Sequence, residues 1–229
     1  MRILALDTAT PACSTALLTD GTAITRELLT ERGHAEHILA MIDAVLAEGE
    51  IPLGQVDALA FGRGPGAFTG VRLAASIAQG LAFAARLPVV PVSDLRAVAQ
   101  RAFDLDARLD HLLVCNDARM QEVYWACFDR DPAGLAALTG TEHVGAIAGI
   151  DLPTHWDGSI GGAGRGFGIY PELARSLRAP LAGVQDALLP RALEIARLAW
   201  PEAQAGRTCR AEEAIPVYLR DDVTRTSRK

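Results

Sequence analysis

The chain has 229 residues, of which half are hydrophobic, 22% charged and 5% aromatic; this composition supports a packed core and excludes a disordered chain. Its net charge of −6 excludes a free-standing nucleic-acid or membrane-surface binder. Only residues 207–229 run mildly basic, and they read as a solvated end.

Three consecutive strands open the chain. Residues 2–8 are apolar and β-branched, residues 12–19 follow a turn at Pro11, and residues 22–30 follow the turn signal Asp20-Gly21. From His34 to Glu48 the period lengthens: Ile38, Leu39, Met41, Ile42, Val45 and Leu46 recur at three- and four-residue steps, which predicts an amphipathic helix. Residues 57–62 return to a strand, and a glycine-rich loop leads into a helix over 67–86. A short strand at 88–93 and a helix at 94–103 follow. Near Asp104 the pattern restarts, with strands at 111–116 and 121–128, a weakly patterned segment at 141–150 and a glycine-rich break at 158–168 after a strand. Leu188, Leu189, Leu193, Ile195, Ala196 and Leu198 place a helix over 187–199, and residues 215–220 read as extended. The expectation is an α/β protein of two lobes, 1–104 and 105–229, with the last helix and tail packing back on the first. An antiparallel meander followed by crossovers makes the first sheet mixed.

Several chemistries drop out. All but one of the 22 basic residues are Arg, and the exception is Lys229, so no Walker-type phosphate loop and no Schiff-base lysine can form inside the fold. Cys13, Cys115, Cys127 and Cys209 make no C-x-x-C pair, which suits a reducing cytosol. Asp7 interrupts any leader-like apolar run, and the uncharged stretch 73–85 falls short of the ~20 residues that span a bilayer, so the expectation is a soluble protein with no membrane role. His34 and His37 stand three apart, about 300° around a helix, with no third ligand cluster, so no metal site is expected.

Other motifs keep two readings open. Asp7, Thr8 and Thr10 at the end of the first strand, with Gly64, Gly66 and Thr69 of the loop 62–70, are candidates for a phosphate-holding turn. Carboxylate, hydroxyls and helix-start amides at strand ends serve this purpose in the actin, sugar-kinase and heat-shock ATPase fold. Ala9 and Pro11 stand where glycine is usual in that turn, and the alternative is a strand-end aspartate closing a tight turn. Gly70, Ala74, Ala78 and Ala82 form a ridge of small residues four apart, while Arg72, Ser76 and Gln79 make a narrow polar stripe. Either the ridge packs within the lobe or it meets a partner helix. The partner reading takes in His34, Ile38, Met41, Ile42 and Val45 of the first helix, and Gly70, Val71, Ala74, Ala78, Leu81 and Ala82 of the second. Residues 161–166 (GGAGRG) miss the dinucleotide spacing and read either as a flexible loop or as a loop facing an adenosine.

Taken together, Ile3–Thr10 (ILALDTAT), Cys13-Ser14, His34 opening a helix, Gly64–Arg72 (GPGAFTGVR), Pro91-Val92-Ser93, Asp117-Ala118-Arg119 with Glu122-Val123-Tyr124, and Pro216–Arg220 (PVYLR) resemble the bacterial TsaB (YeaZ) family across nearly the whole chain. Residues 130–190 contribute little to that resemblance. It implies an actin-like two-lobe fold and a subunit of the machinery that makes N6-threonylcarbamoyladenosine at tRNA position 37. The implied partners are the catalytic paralogue TsaD, as a heterodimer, and the ATPase TsaE. TsaC or its relative Sua5 supplies the threonylcarbamoyl-adenylate. Contact with tRNA only through the complex and a cytoplasmic location are also expected, and in the absence of TsaD both a homodimer and a monomer stay open. In the paralogue a V-N-H-x-x-G-H-type segment binds metal through two histidines; the matching stretch here, 92–98, has Asp94 and Val98 at those places. Valine cannot ligate a metal, so the expectation is a non-catalytic scaffold without cofactor. A stand-alone phosphotransferase or metallopeptidase is the alternative.

Overall fold

The computed structural model describes residues 1–220. The last nine residues, and with them the end of the basic tail, lie outside the described residues. Two five-stranded sheets carry the architecture. The first is ordered β3-β2-β1-β4-β5, from β1 (Arg2–Asp7), β2 (Ala12–Thr19), β3 (Thr22–Leu29), β4 (Ala58–Gly62) and β5 (Val89–Val92). β1 to β3 form an antiparallel meander, and β4 and β5 join parallel through helical crossovers, so the sheet is mixed. The second sheet, ordered β10-β9-β6-β7-β8, repeats this plan with β6 (His111–Asp117), β7 (Glu122–Arg130), β8 (Ala136–Ala146), β9 (Ile160–Ala163) and β10 (Gly183–Gln185). The molecule is thus duplicated in topology although its sequence shows no repeat.

Helices cover both faces of the first sheet. α1 (His34–Glu48) and α2 (Phe68–Ala85) lie on one side, where Ile38, Ile42, Ala74 and Ala78 pack on Leu4, Leu6, Leu59 and Phe61. On the other side Ile3, Ala5, Leu18, Ala60 and Val90 meet Ile195, Ala196 and Ala199 of the last helix, α6 (Ala192–Gln204). α3 (Asp94–Leu105) belongs to the first half of the chain, yet Leu95, Val98, Ala102 and Phe103 pack against Leu112, Val114 and Phe128 of the second sheet. The lobes therefore exchange helices. A cut at residue 104 separates the sheets but not their cores.

Polar bonds join the lobes where α3 starts. Arg63 meets Glu142 of β8 at 3.0 Å, the Ser93 hydroxyl donates to the same carboxylate, and Ser93 also accepts the Arg96 N–H to cap α3. The C-terminal segment crosses from one lobe to the other: the Gln79 side chain donates to the Ala214 carbonyl, Val217 N–H donates to the Arg63 carbonyl, and Arg220 pairs with Glu122.

The departures from the sequence reading lie in the second half of the chain, where β8 also starts earlier, at Ala136, than the segment expected at 141–150. The last helix begins after Pro190-Arg191, not at 187, and continues through Pro201; only its final turn follows that proline. The strand expected before the glycine-rich break includes Gly161 and Gly162, and a short helix, α4 (Gly166–Ile169), follows it. α5 (Leu173–Ser176) and β10 span four and three residues, too short to show a period.

Candidate functional site

Asp7 ends β1 fully buried, and its Oδ1 accepts the Ala9 N–H at 2.9 Å. The Thr8 hydroxyl donates to the Gly70 carbonyl at 2.7 Å, and the Ala67 N–H, just before α2, donates to the Ala9 carbonyl at 2.7 Å. Gly64 N–H donates to Asp94 Oδ2 at 2.5 Å. The glycines of this loop serve the contact between backbones. A Cβ on Gly66 would stand 2.5 Å from the Ala9 carbonyl oxygen, and one on Gly70 would collide with the Thr8 carbonyl. The hairpin turn itself therefore occupies the loop. Of the phosphate-turn candidates, Asp7 and Thr8 are buried, Gly64 is bonded to Asp94, Thr10 accepts the Ala12 N–H and Thr69 is exposed, while Thr10 and Gly66 border the cavity between the lobes. Gly70→Ala is expected to destabilise the fold by about 1–3 kcal/mol through this collision. Urea unfolding with an unchanged slope is the measurement.

Asp94 opens α3 fully buried beside Asp7, and a Cβ built on Gly62 would lie 2.4 Å from Asp94 Oδ1 and 2.5 Å from Asp7 Oδ1. Burial pushes Asp7 up to about 6, and burial together with the charge of Asp7 pushes Asp94 well above the carboxylate range. Val98 faces the apolar core around Leu112 and Phe128. Among the described residues no three His, Cys, Asp or Glu side chains are grouped to hold a metal ion. His34 Nε2 lies 2.9 Å from the Thr10 carbonyl, and His37 is exposed.

Between the lobes lies a cavity of about 440 Å³, bordered by Pro65, Phe68, Asn116, Arg165, Tyr218 and Arg220. At its mouth the Arg72 guanidinium sits 3.7 Å over the Phe68 ring and donates to the Tyr218 hydroxyl at 2.7 Å. The glycine-rich segment 161–166 reaches this cavity through Arg165. Gly164, at φ +99°, and Gly166 lie against the Cys115 carbonyl, so close packing on β6 accounts for two of its glycines.

The sequence reading of the partner face needs its largest correction here. Val71, Ala74, Ala78 and Ala82 are buried, and so are Ile38, Ile42 and Val45 of α1. Met41 and Leu81 pack on the same core, Gly70 rests on Thr8, and His34 is tied to Thr10. The ridge of small residues faces the sheet because alanines let α2 lie close to β1 and β4. α2 carries a second set of residues four apart, Arg72, Ser76, Gly80 and Ala84, and all four are exposed. Half-buried Leu73, Ile77 and Leu81 flank it, and Phe83 stands 78% exposed. Beside it α1 presents Leu39, 51% exposed, with Ala40, Asp43 and Ala47. The mean hydropathy of α2 reaches 1.2 over its 18 residues, with 28% of them buried. The expected partner residues thus build the inside of the helix pair, and Leu39, Ser76, Gly80 and Phe83 form the outside. The polar stripe of Arg72 and Ser76 was the sequence signal for that outer side.

Two mixed sheets of the same strand order, flanked by helices and facing across a cleft, define an actin-like two-lobe protein. Residues 28–153 match the family model described as "TsaD: tRNA N6-adenosine threonylcarbamoyltransferase". The chain is 41% identical to the tRNA threonylcarbamoyladenosine biosynthesis protein TsaB of Haemophilus influenzae, over 98% of this chain and 95% of that one. It is 40% identical to TsaB of Escherichia coli, over 97% and 96%. The solved structure of YeaZ from Pseudomonas aeruginosa superposes with a TM-score of 0.87 at 42% identity, covering 95% of this chain and 99% of that one. The chain belongs to the TsaB (YeaZ) family.

Proposed function

We propose that this chain is a non-catalytic scaffold subunit in the formation of N6-threonylcarbamoyladenosine at tRNA position 37, paired with the catalytic paralogue TsaD. The pairing surface is the outer side of α1 and α2 in the first lobe. TsaE joins the larger complex, and tRNA is met only within it, in the cytoplasm. The observation that carries this reading is the long apolar helix α2, whose outer side has Phe83 exposed and, among the described residues, no neighbour over Gly80. Contiguous exposed apolar surface of this kind marks an interaction site. The match to the transferase's own family model, residues 28–153, includes both α1 and α2, so two similar helix pairs can meet face to face. When TsaD is absent, the same face serves a homodimer.

The stand-alone enzyme reading is weaker. A phosphotransferase of this fold usually has glycine in the turn where Ala9 and Pro11 stand here, and a metallopeptidase needs ligands at positions 94 and 98, which a buried carboxyl and a valine do not supply. Co-expression with TsaD followed by size-exclusion chromatography is the direct test, with co-elution as the expected result. Stoichiometric zinc or iron in the purified chain would overturn the scaffold reading. Modification of tRNA by this chain and the adenylate without TsaD would overturn it equally.

A further inference from the structure

We propose that Asp7 and Asp94 hold a proton between them at neutral pH, and that this shared proton is a latch fixing the start of α2. Both side chains are fully buried and bring a carboxyl oxygen each to within 2.5 Å of one point beside Gly62, so two negative charges would stand close together in the interior. The donors around them do not suffice. Asp7 Oδ1 takes the Ala9 N–H and Asp94 Oδ2 takes the Gly64 N–H, while Asp7 Oδ2 and Asp94 Oδ1 receive no protein N–H or O–H. A proton on one carboxyl, donated to the other, supplies the missing donor. Among the described residues Arg63 is the cation that acts on Asp94, and its effect is outweighed by burial and by the charge of Asp7. Arg63 is committed to Glu142 at 3.0 Å, and burial pushes the Cys13 thiol on β2 up to about 11, so it is neutral. Gly62 of β4 leaves no room between the carboxyls, because even a Cβ there would overlap both.

The pair has mechanical consequences. Asp7 holds Ala9, whose carbonyl holds the Ala67 N–H, and Asp94 holds Gly64. Both threads end on the segment that starts α2. Removing the last proton sets two carboxylates against each other and pulls these threads apart. The latch stands whether or not α2 meets a partner.

The sign follows from linkage. Both carboxyls titrate higher in the folded chain than in the unfolded one, so folding takes up protons. Stability is greatest below the unfolded carboxylate range near pH 4 and falls as pH rises through about 6 and beyond. Each proton so held makes the unfolding equilibrium constant rise about tenfold per pH unit. The experiment compares wild type with Asp7→Asn and Asp94→Asn between pH 5 and 9, by chemical unfolding, infrared spectroscopy and amide exchange. An asparagine keeps the shape and supplies an N–H in place of the proton. The expected result is a shallower pH slope and greater stability at pH 8 in either variant. At pH 7 wild type shows a protonated-carboxyl C=O band that each variant reduces or loses. Exchange in residues 63–70, corrected for intrinsic rates, rises with pH in wild type more than in the variants. Absence of that band from wild type, or equal slopes in all three proteins, would overturn the shared proton. Uniform exchange behaviour would overturn the latch. If neither variant folds, the wild-type band decides the question.

Discussion

Gly80→Arg is expected to abolish pairing with TsaD while leaving the isolated chain as stable as before, or slightly more so. Among the described residues nothing lies within 4 Å of a Cβ built on Gly80, so the new side chain has room in the isolated protein. Arginine is also the better helix former, by up to about 1 kcal/mol over glycine in a helix interior. In a complex that covers this face, the same side chain holds the helices apart or carries an unpaired charge into a dry contact, at a cost of about 3–5 kcal/mol. Each 1.4 kcal/mol is about a factor of ten in affinity, so at least a hundredfold weakening is expected. Size-exclusion co-elution beside thermal melting reads both halves of the result. Co-elution at wild-type affinity would place the partner on another surface.

Ala74→Arg is expected to do the opposite. Ala74 is fully buried on the inner side of α2 within the core of Leu4, Leu59 and Phe61. A guanidinium there has no paired acceptor and no volume to enter, and overpacking and buried charge together cost several kcal/mol, on the order of the whole stability of a domain. The variant should be largely insoluble or melt far below wild type. A stable, soluble variant that only loses partner binding would mean that the inner and outer sides have been exchanged. The two substitutions sit six residues apart on one helix and introduce the same side chain, so their contrast reports orientation alone.

Which side of α2 faces outward was the hardest feature to read from sequence. Residues 70, 74, 78 and 82 and residues 72, 76, 80 and 84 share one spacing, and both sets are mostly small. Spacing cannot choose between them. Arg72 and Ser76 did mark the outer set, since a charge on an apolar helix points to water. The strands of the first meander were legible because β-branched and apolar runs were broken by turn signals at Pro11 and Asp20-Gly21, and β6 and β7 were legible too, whereas β8 (Ala136–Ala146) was seen only as a weakly patterned segment at 141–150. So was α1, where Ile38, Ile42 and Val45 repeat at helical steps. The loop at 62–70 was located correctly, but its glycines suit a phosphate and a second backbone equally well. Only the approach of the Thr8 and Ala9 carbonyls decides between them. The contact of Asp7 with Asp94 joins residues 87 positions apart, and no local pattern announces it.

The exchange of helices between the lobes has a consequence for biosynthesis. The back of the first sheet is closed by α6, whose first N–H, at Ala192, donates to the Ser14 hydroxyl across 178 residues. While the chain leaves the ribosome, Ile3, Ala5, Leu18 and Val90 stay uncovered until nearly the whole polypeptide has emerged. The amino-terminal half cannot mature as an independent folding unit during translation, and a nascent chain stalled before residue 192 presents a broad apolar sheet to chaperones. Closure of the first sheet's back waits on the arrival of one late helix.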